Sequence, residues 1–409
     1  MAQLSDDCFA FGGKLQSVDA ALALIARSVA CAVGTERVAL SEADGRVLAA
    51  DLHSPVDLPP FANSAVDGYA VRLADLTDGP VLPVSGRLAA GTTARPLAPG
   101  TAQRIFTGAP LPQGADTVFM QEDVEASEGS VRLPPGLKAG ANTRPAGEDI
   151  ARGARALAGG TTLRPQDVAL AAALGLQELE VRQPLRVALF STGDELVDPG
   201  EFPGPAQRFD SNRVLLAALC RRAGAEVTDL GILPDRRDRI AAALAAAAPG
   251  HHAILTTGGV SAGEEDHVRD AVEQAGRLAW WRLAIKPGRP VAMGEVGNAA
   301  FMGLPGNPVA AFVTFVCVAR PLLAALAGET YRPPTPVSVP AAFSYRKKTG
   351  RREYVRVRIA DGRAHKYPVE GAGILTSLTL TDGLAELAED ATSLAPGDPV
   401  GYLPFSSVM

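Results

Sequence analysis

Hydrophobic and polar positions change their spacing several times along this chain, and each change predicts a different kind of structure. Residues 15–33 carry apolar side chains at helical spacing behind Ser17, a suitable N-cap, which predicts an opening amphipathic helix. From about Val56 to Glu148, short alternating runs broken by Gly and Pro predict an antiparallel β module. Residues 149–182 return to helical spacing. We therefore expect the two helical flanks to form one domain into which the β module is inserted.

A different pattern extends from Pro184 to Gly328, where continuous apolar runs typical of buried strands alternate with helical segments. This alternation predicts a doubly wound, mostly parallel sheet. Its last segment predicts a long apolar helix with Asn307 as N-cap and Pro308 at the first position. The tail from about Tyr331 is strand-like and predicts a separate small β domain.

Together these patterns predict a multidomain fold of the α/β plus β class. We expect a discontinuous helical linker domain (1–54 with 149–182), an inserted β module (55–148), an α/β domain (183–329) and a small, barrel-like C-terminal β domain (330–409). The chain has 409 residues, of which 47% are hydrophobic and 21% charged, so it can bury more than one core.

The charge balance excludes some classes of partner. The net charge is -6 and no basic stripe stands out, so we expect neither nucleic acid nor an anionic membrane as a partner. An anionic substrate would have to be held by a local cluster of Lys and Arg against this global charge.

The cysteines and the N-terminus indicate a reducing compartment. Cys8, Cys31, Cys220 and Cys317 show no CxxC pair and no metal-ligand spacing, so we expect them to be reduced and mostly buried. The N-terminus lacks the pattern of a signal peptide, and we expect no segment of membrane-spanning length. The predicted location is the cytoplasm.

Three loops follow predicted strands of the α/β domain, where open parallel sheets bind ligands. They are 191–195 (STGDE), 256–266 (TTGGVSAGEED) and 303–308 (GLPGNP). The glycine-rich loops allow close backbone approach to a phosphate. Carboxylates beside such loops would repel a phosphate unless a divalent cation lies between them, so Asp194, Glu195, Asp235 and Asp266 suggest a Mg²⁺-assisted phosphate site. The alternative is that these acids only stabilise helix dipoles.

Cations are concentrated in two places. Arg282, Lys286 and Arg289 lie within eight residues, interspersed with Pro and Gly, and could cradle an anion. The alternative is a solvated loop with extended side chains. The second cluster, in the C-terminal domain, comprises Arg351, Arg352, Arg356 and Arg358. The alternation of Arg356 and Arg358 is also typical of the exposed face of a strand.

Nine segments in sequence order, spread over nearly the whole chain, resemble the molybdopterin molybdenumtransferase family, which includes bacterial molybdenum-insertion enzymes and the E domain of gephyrin. The segments are DLPPFANSAVDGYAVR, RIFTGAPLPQGADTVFMQED, AGED, RVALFSTGDELV, FDSNR, GILPD, TTGGVSAGEEDHV, WRLAIKPGRPVAMG and GLPGNPVA. Any one of them would be weak support. The resemblance implies a molybdopterin-binding α/β domain and an elongated homodimer whose active site lies between the α/β domain of one subunit and the β module of the other.

The reaction implied by the resemblance takes adenylylated molybdopterin and molybdate, cleaves the pyrophosphate bond with release of AMP, and leaves molybdenum on the pterin dithiolate. The implied cofactor is Mg²⁺, and an adenylylating protein and molybdoenzymes are implied partners. The implied catalytic residues are Asp67, Thr107, Glu195, Asp235 and Asp266, with Asp67, Glu195 and Asp266 as metal ligands. The residues expected at the pterin and AMP phosphates are Arg144, Asp194, Gly258, Gly259, Ser261, Pro305, Gly306, Asn307 and Pro308. The residues expected at molybdate are Arg282, Lys286, Arg351 and Ser377.

The sequence departs from the family pattern in three places. Only Arg144 can inherit the role of an arginine run before GED, because Pro145 and Ala146 follow it. Arg282 replaces a usual Lys, and a forked guanidinium binds an oxyanion differently from an ammonium group. The EGAG turn places Ala372 where a Ser is more typical, which shifts the expectation of a hydroxyl contact to Thr376 and Ser377.

Three other functions compete with this interpretation. A dimeric scaffold would not need the acidic set. A nucleotide pyrophosphatase or deamidase built on the same α/β domain would lack the β module with DGYAVR. A nicotinamide dehydrogenase would need GxGxxG after the first strand of the α/β domain, and none is present.

Overall fold

The computed structural model describes Leu4 and residues 15–78, 80–259 and 267–409. The α/β domain is built on a seven-stranded sheet. From edge to edge, its strands are Leu15–Gln16, Gly276–Leu283, Pro290–Val296, Ala299–Leu304, Ala253–Thr257, Leu185–Thr192 and Ala225–Leu233. The strand Pro290–Val296 is antiparallel to both of its neighbours and the other pairings are parallel, so the sheet is mixed.

Helices cover both faces of this sheet. On one face, Asn212–Arg222 and Pro308–Leu326 pack into the largest hydrophobic core; on the other face lie Arg237–Ala247 and His267–Ala275. Helix Pro308–Leu326 begins as predicted, with Asn307 as N-cap and Pro308 in the first turn, and has a π-helical stretch over Phe315–Ala319. The three predicted loops follow the carboxyl ends of Leu185–Thr192, Ala253–Thr257 and Ala299–Leu304, and the next helices along the chain are Asn212–Arg222, His267–Ala275 and Pro308–Leu326.

Helix Pro308–Leu326 also corrects one expectation. Within the described ranges it is the one helix long and apolar enough, at 19 residues, to cross a membrane. The prediction that no segment has that length was therefore wrong. In its most apolar window 89% of the residues are buried, and its side chains belong to the core of the α/β domain.

The opening helix is shorter than predicted and packs elsewhere. It spans Val18–Ser28, and Ser17 Oγ caps it by accepting a hydrogen bond from the Ala20 amide at 3.1 Å. Its buried side chains join the core of the α/β domain, and the preceding strand Leu15–Gln16 adds to the edge of that sheet. The first part of the predicted linker domain is thus integral to the α/β core.

The linker region is less helical than its spacing suggested. It contains the strand pairs Thr35–Ala39 with Glu178–Arg182 and Leu52–His53 with Arg155–Leu157, and a single α-helix, Pro165–Ala173. Of the other large apolar residues of 149–182, Leu157, Leu179 and Val181 lie on strands, and Leu163, Leu174 and Leu176 lie in connecting segments. Alternation and helical spacing are hard to separate over such short runs.

The β module is a six-stranded sheet. In order, its strands are Thr117–Met120, Gly68–Val71, Ala102–Ile105, Val81–Leu88, Ser130–Arg132 and Glu125–Ser127. Strands Val81–Leu88 and Ala102–Ile105 are parallel, so the sheet is mixed rather than purely antiparallel. A separate antiparallel pair joins Asn63–Ser64 to Thr143–Arg144.

Short 3-10 helices lie at Leu40–Glu42, Leu73–Asp78, Gln121–Asp123 and Ala248–Gly250.

The C-terminal domain is a small β structure that shares a strand with the α/β domain. Its sheet has the order Ile285–Lys286, Arg352–Ala360, Gly383–Leu387, Pro399–Pro404 and Val337–Pro340, and Arg363–Lys366 also pairs with Arg352–Ala360. A bridge between Ala341 and Ala364 joins the two ends of the five C-terminal strands, which is a barrel-like arrangement. Short elements complete the domain at Tyr345–Arg346, Ser393–Leu394, Thr376–Thr379 and Phe405–Val408.

The described cysteines are free. Cys220 and Cys317 are buried, as expected, and burial raises the pKa of each thiol to about 12. Cys31 is exposed, because it follows the opening helix on the surface rather than packing beneath it. Cys8 lies outside the described residues.

Candidate active site

The three predicted loops meet at the carboxyl edge of neighbouring parallel strands. Strands Leu185–Thr192, Ala253–Thr257 and Ala299–Leu304 are adjacent in the sheet. The Gly258 amide donates to the Leu304 carbonyl oxygen at 3.2 Å, and a Cβ built on Gly306 would lie 3.7 Å from Gly258 Cα. The second and third loops therefore pack backbone against backbone.

Glycine is required in the second loop. Gly258 has φ +87, and a Cβ there would lie 2.7 Å from the Thr192 carbonyl oxygen. Gly259 has φ +61, and its Cβ would lie 2.5 Å from Val268 Cγ2. Both positions combine a left-handed backbone with close packing, so the Gly-Gly pair is dictated by the junction of the loops. Ser261 and Asp266, also predicted here, lie outside the described residues.

Carboxylates gather beside these glycines. Asp235 accepts a hydrogen bond from Thr192 Oγ1 at 3.3 Å, and its amide donates to Asp194 Oδ1 at 3.4 Å. Burial raises the pKa of Asp235; His267 and Thr192 oppose the shift, and the charges of Asp194 and Glu195 add to it. The charges of the three carboxylates therefore interact at this edge of the sheet.

A cavity of about 190 Å³ lies next to this acidic edge. Glu195 lines it and accepts a hydrogen bond from Arg208 Nη2 at 2.8 Å, so one carboxylate of the group is already oriented. The cavity also has backbone from the glycine loops and side chains of the FDSNR segment; its lining includes Thr192, Arg208, Asp210, Asn212, Thr257, Gly258, Gly306 and Pro308.

The donor chemistry of this edge suits a hard divalent cation, which prefers carboxylate oxygens. Asp194, Glu195 and Asp235 supply such oxygens, and their mutual repulsion raises the pKa of Asp235 further. Among the described residues, no group of three or more His, Cys, Asp or Glu side chains has a metal-binding arrangement. Of the predicted ligands, Asp67 lies in the β module and Asp266 outside the described ranges, so the predicted set is not assembled within the described part of one chain.

The cationic end is organised by the shared strand Ile285–Lys286, which pairs with Arg352 and Glu353. Lys286 Nζ donates to the Tyr345 hydroxyl at 3.2 Å and lies 3.4 Å from Glu353 Oε2. Burial lowers the pKa of Lys286, but the hydrogen bond to Tyr345 and the charge of Glu353 outweigh it and raise that pKa. Lys286 is therefore protonated at neutral pH and held in one position.

Arg356 is the most unusual cation of this region. It is only 9% exposed, and its Nε donates to Ser377 Oγ at 3.1 Å while Nη2 donates to the Gly371 carbonyl at 3.2 Å. No carboxylate of the described residues lies within ion-pair distance of it; burial lowers its pKa, and the charges of Tyr345 and Glu370 oppose that shift. A buried guanidinium without a carboxylate partner is stabilised by binding an anion.

Arg356 and Lys286 line a cavity of about 140 Å³, together with residues that include Pro287, Tyr345, Lys366, Tyr367, Glu370, Gly371 and Ala372. Glu370, the carboxylate among them, accepts a hydrogen bond from Lys366 Nζ at 2.6 Å. Of the four residues predicted to bind molybdate, Lys286 lines this cavity and Ser377 reaches it through Arg356. Arg351 instead donates to Glu353 Oε1 at 2.7 Å, and Arg282 is exposed on strand Gly276–Leu283. Neither lines the cavity.

A third cavity connects the two ends. It measures about 490 Å³, shares Gly258 and Gly306 with the acidic cavity, and shares Pro287 and Ala372 with the cationic one. Pro305 and Asn307 also line it. The loops of the α/β domain and the C-terminal domain thus form one continuous cleft, acidic at one end and basic at the other.

The predicted residues of the β module form their own cluster. Asp67 Oδ1 accepts hydrogen bonds from the Thr107 amide and hydroxyl, both at 2.8 Å, and these bonds lower the pKa of Asp67. Arg104 lies nearby, with its guanidinium 5.0 Å from the Tyr69 ring centre. Arg144 is exposed on the strand pair with Asn63. Within the described ranges, no hydrogen bond or ion pair joins Asp67 or Thr107 to the α/β loops.

Sequence reasoning missed several residues of the cleft. Arg356 was one of four clustered arginines, and only its burial distinguishes it from exposed Arg358, with which it alternates. Tyr345 and Lys366 carry no local pattern, because they reach the cleft from separate strands of the C-terminal domain. Asn212 was part of a resemblance motif with no assigned role.

Comparison with known proteins places the whole chain in one family. The MoeA N-terminal region (domain I and II) matches residues 16–175, a probable molybdopterin binding domain matches 188–325, and the MoeA C-terminal region (domain IV) matches 338–405. The molybdopterin molybdenumtransferase of Haemophilus influenzae is 37% identical over 383 residues, covering 92% of this chain and 95% of that protein. That of Synechococcus elongatus is 37% identical over 399 residues, covering 94% and 98%.

Solved structures agree with these matches. The molybdopterin biosynthesis moeA protein from Pyrococcus horikoshii OT3 superposes with a TM-score of 0.81 at 30% identity, covering 95% of this chain and 99% of that one. The resemblance inferred from the nine segments and the predicted multidomain fold with a molybdopterin-binding domain are thereby confirmed. The chain belongs to the molybdopterin molybdenumtransferase family, enzymes that transfer molybdenum in molybdenum cofactor biosynthesis.

Proposed function

We propose that the chain inserts molybdenum from molybdate into adenylylated molybdopterin, with Mg²⁺-dependent cleavage of the pyrophosphate bond and release of AMP. The observation that carries the proposal is the continuous cleft, which has carboxylates and glycine loops at one end and buried Arg356 at the other. Adenylylated molybdopterin carries a pyrophosphate, which would bind with Mg²⁺ at the acidic end of the cleft. Its dithiolate must react with molybdate, an anion that would bind at the basic end.

At the acidic end, the glycine loops present backbone to the phosphates while Asp194, Glu195 and Asp235 supply oxygens for Mg²⁺. Bound Mg²⁺ would offset the negative charge of the pyrophosphate as it is cleaved. Arg208 orients the Glu195 carboxylate, and Thr192 orients that of Asp235. We propose the same Mg²⁺ role for Asp266, on the resemblance alone.

At the cationic end, Arg356 and Lys286 bind the molybdate dianion. Ser377 acts by fixing the guanidinium of Arg356, with which it shares a 3.1 Å hydrogen bond. Arg282 and Arg351, also expected at molybdate, lie outside the cavity and would contribute mainly to the local potential. The middle cavity, lined by Pro305 and Asn307, would hold the pterin and its dithiolate.

We propose a homodimer in which Asp67, Thr107 and Arg144 of one subunit complete the cleft of the other. The support is that Asp67 is hydrogen-bonded to exposed Thr107 in the β module, that Arg144 is exposed, and that the described residues show no hydrogen bond or ion pair from Asp67 or Thr107 to the cleft of their own chain. A scaffold would not need this group.

The dimer can be tested by mixing two inactive variants, Asp67→Asn and Glu195→Gln. If each site draws on both subunits, random mixing makes half of the dimers heterodimers with one intact site of two, so activity should recover to about a quarter of the wild-type value. No recovery in dimers shown to be mixed would contradict a shared site.

The reaction itself can be tested with the purified chain, adenylylated molybdopterin and Mg²⁺, following AMP with and without molybdate. We expect AMP release that depends on both ions. Release independent of molybdate would favour a pyrophosphatase, and no release would favour the scaffold. We further propose a cytoplasmic location, substrate supply by an adenylylating protein and product delivery to molybdoenzymes.

A further inference from the structure

One amide side chain links the second and third loops of the cleft. Asn212 is the first residue of helix Asn212–Arg222 and is only 8% exposed. Its Nδ2 donates to the Gly306 carbonyl oxygen at 2.8 Å and to Thr257 Oγ1 at 3.0 Å. The Thr257 hydroxyl in turn donates to the Pro305 carbonyl at 3.2 Å. A single side chain thus bonds to both loops.

The orientation of this amide is determined by its partners. The Gly306 carbonyl can only accept, so the atom facing it must be the amide nitrogen. The Thr257 hydroxyl hydrogen points to Pro305, which leaves an oxygen lone pair for Nδ2. Oδ1 of Asn212 is buried and has no hydrogen-bond partner among the described residues. Both described hydrogen bonds of the amide, to Gly306 and to Thr257, are therefore donated by Asn212 Nδ2.

The neighbours of Asn212 bind the first loop. Asp210 is 2% exposed and accepts hydrogen bonds from Ser191 Oγ and, at 3.0 Å, from Arg213 Nε. Arg213 also forms ion pairs with Asp198 and Asp229. The segment from Asp210 to Arg213 thereby contacts all three loops, and its side-chain hydrogen bonds to the described residues of the second and third loops come from Asn212.

We propose that Asn212 is a positioning residue that sets the separation of the second and third loops and so the direction of the Gly258 and Gly306 backbone. Both glycines line the acidic cavity, where they would face the phosphate end of the substrate. The inference rests on the proposed function for the identity of that ligand. Asn212 acts through the loops and need not touch the substrate.

The first test uses Asn212→Ala in the full chain. Loss of the donor removes the side-chain partner of the Gly306 carbonyl, which changes an equilibrium by about tenfold, while the Thr257 hydroxyl keeps its bond to Pro305. We expect the amides of residues 256–259 and 303–307 to exchange hydrogen about tenfold faster, and AMP to bind about tenfold more weakly by calorimetry. Val214→Ala is the matched control, because Val214 lies in the same helix and is 56% exposed; it should change neither measurement.

Two further variants separate positioning from general stability. Thr257→Val removes the acceptor, so the effects of Asn212→Ala and Thr257→Val on AMP affinity should be clearly less than additive in the double variant. Asn212→Asp places a carboxylate oxygen against the Gly306 carbonyl and should accelerate exchange of the third loop more than Asn212→Ala does.

A folded Asn212→Ala protein with unchanged loop exchange and unchanged AMP affinity would overturn the proposal, as would full additivity with Thr257→Val. Failure of the proposed function would be visible separately, as wild-type protein that releases no AMP. The exchange measurements do not depend on turnover, so they test the positioning role in either case.

Discussion

Removing the buried guanidinium of Arg356 is the perturbation for which the structure makes the sharpest expectation. The side chain is 9% exposed, is fixed by Ser377 and Gly371, and faces a cavity of about 140 Å³ without a carboxylate partner among the described residues. An anion in that cavity would be its main charge partner. Arg356→Ala should therefore weaken molybdate binding far more than it weakens binding of the adenylylated substrate.

The size of the effect follows from the contacts. A hydrogen bond to a charged group contributes about 1.5–3 kcal/mol, so losing one such contact to molybdate should raise its KM by about 10- to 150-fold. Arg356→Lys keeps the charge but cannot fork, and it should lie between wild type and Arg356→Ala. Ser377→Ala leaves the guanidinium in place but loosens it, so about tenfold is expected.

The assay is the rate of AMP release at varied molybdate and saturating adenylylated molybdopterin, with melting curves to confirm folding. Arg358→Ala is the matched control, since Arg358 lies on the same strand and is exposed. If Arg356→Lys, correctly folded, kept the wild-type KM for molybdate, or if Arg358→Ala raised it as much, the assignment of the cationic end would be refuted.

Three other variants probe the acidic end. Asp235→Asn should abolish turnover yet raise the free energy of unfolding at pH 7 by about 0.5–2 kcal/mol. Because the pKa of Asp235 is raised in the folded state, its ionisation lowers stability as pH rises through that pKa, and Asn does not ionise. A lower or unchanged melting temperature at pH 7 would contradict this expectation. Because the pKa of Asp235 is raised, the Mg²⁺ affinity of the wild type should already weaken at a pH above the range in which an ordinary carboxylate is protonated. If Asp235→Asn showed the same pH dependence of Mg²⁺ affinity as the wild type, the coupling would be disproved. Gly258→Ala should destabilise the fold by about 1–3 kcal/mol and reduce turnover, because its Cβ would clash with the Thr192 carbonyl. Gly100→Ala, with φ +69 and open space around it, should lose only the stability that the left-handed backbone conformation costs. Equal losses of stability in the two variants would argue against the steric cause. Asp194→Asn should lower the pKa of Asp235, because it removes one negative charge near that carboxyl group. The shift can be measured by NMR titration of the Asp235 carboxyl, and an unshifted titration would show that the two groups do not interact.

The sequence was most informative where local rules operate. Asn307 and Pro308 begin the core helix as capping preferences predict, and Ser17 caps the opening helix. The Gly-Gly pair at 258 and 259 was interpreted as allowing close backbone approach to a phosphate; in the structure both residues have left-handed φ values and close contacts that favour glycine. These features depend on a few neighbouring residues, so they are readable without tertiary structure.

Features that depend on distant segments were not predictable. The opening helix looked like part of a linker, yet its apolar side chains match a core more than 150 residues away in sequence, which no local pattern reveals. The linker strands are two to five residues long, too short for alternation to stand out from helical spacing.

The cationic end shows the same limit. Arg351 and Arg356 are five residues apart and chemically identical, but Arg351 is neutralised by Glu353 while Arg356 faces a cavity. Arg356 is fixed by Ser377 and Gly371, which are 21 and 15 residues away in sequence, so its environment depends on a separate segment of the C-terminal domain. The sequence assigned no role to Asn212, because its hydrogen-bond partners, Thr257 and Gly306, are 45 and 94 residues further along the chain.

The continuous cleft is tested most directly by locating the oxyanion. Crystals of the chain soaked in molybdate or tungstate would give an anomalous peak at the metal position. We expect that peak in the cavity between Lys286 Nζ and the Arg356 guanidinium, and its loss in crystals of Arg356→Ala. A peak at the acidic loops, or an undiminished peak in the variant, would contradict the account.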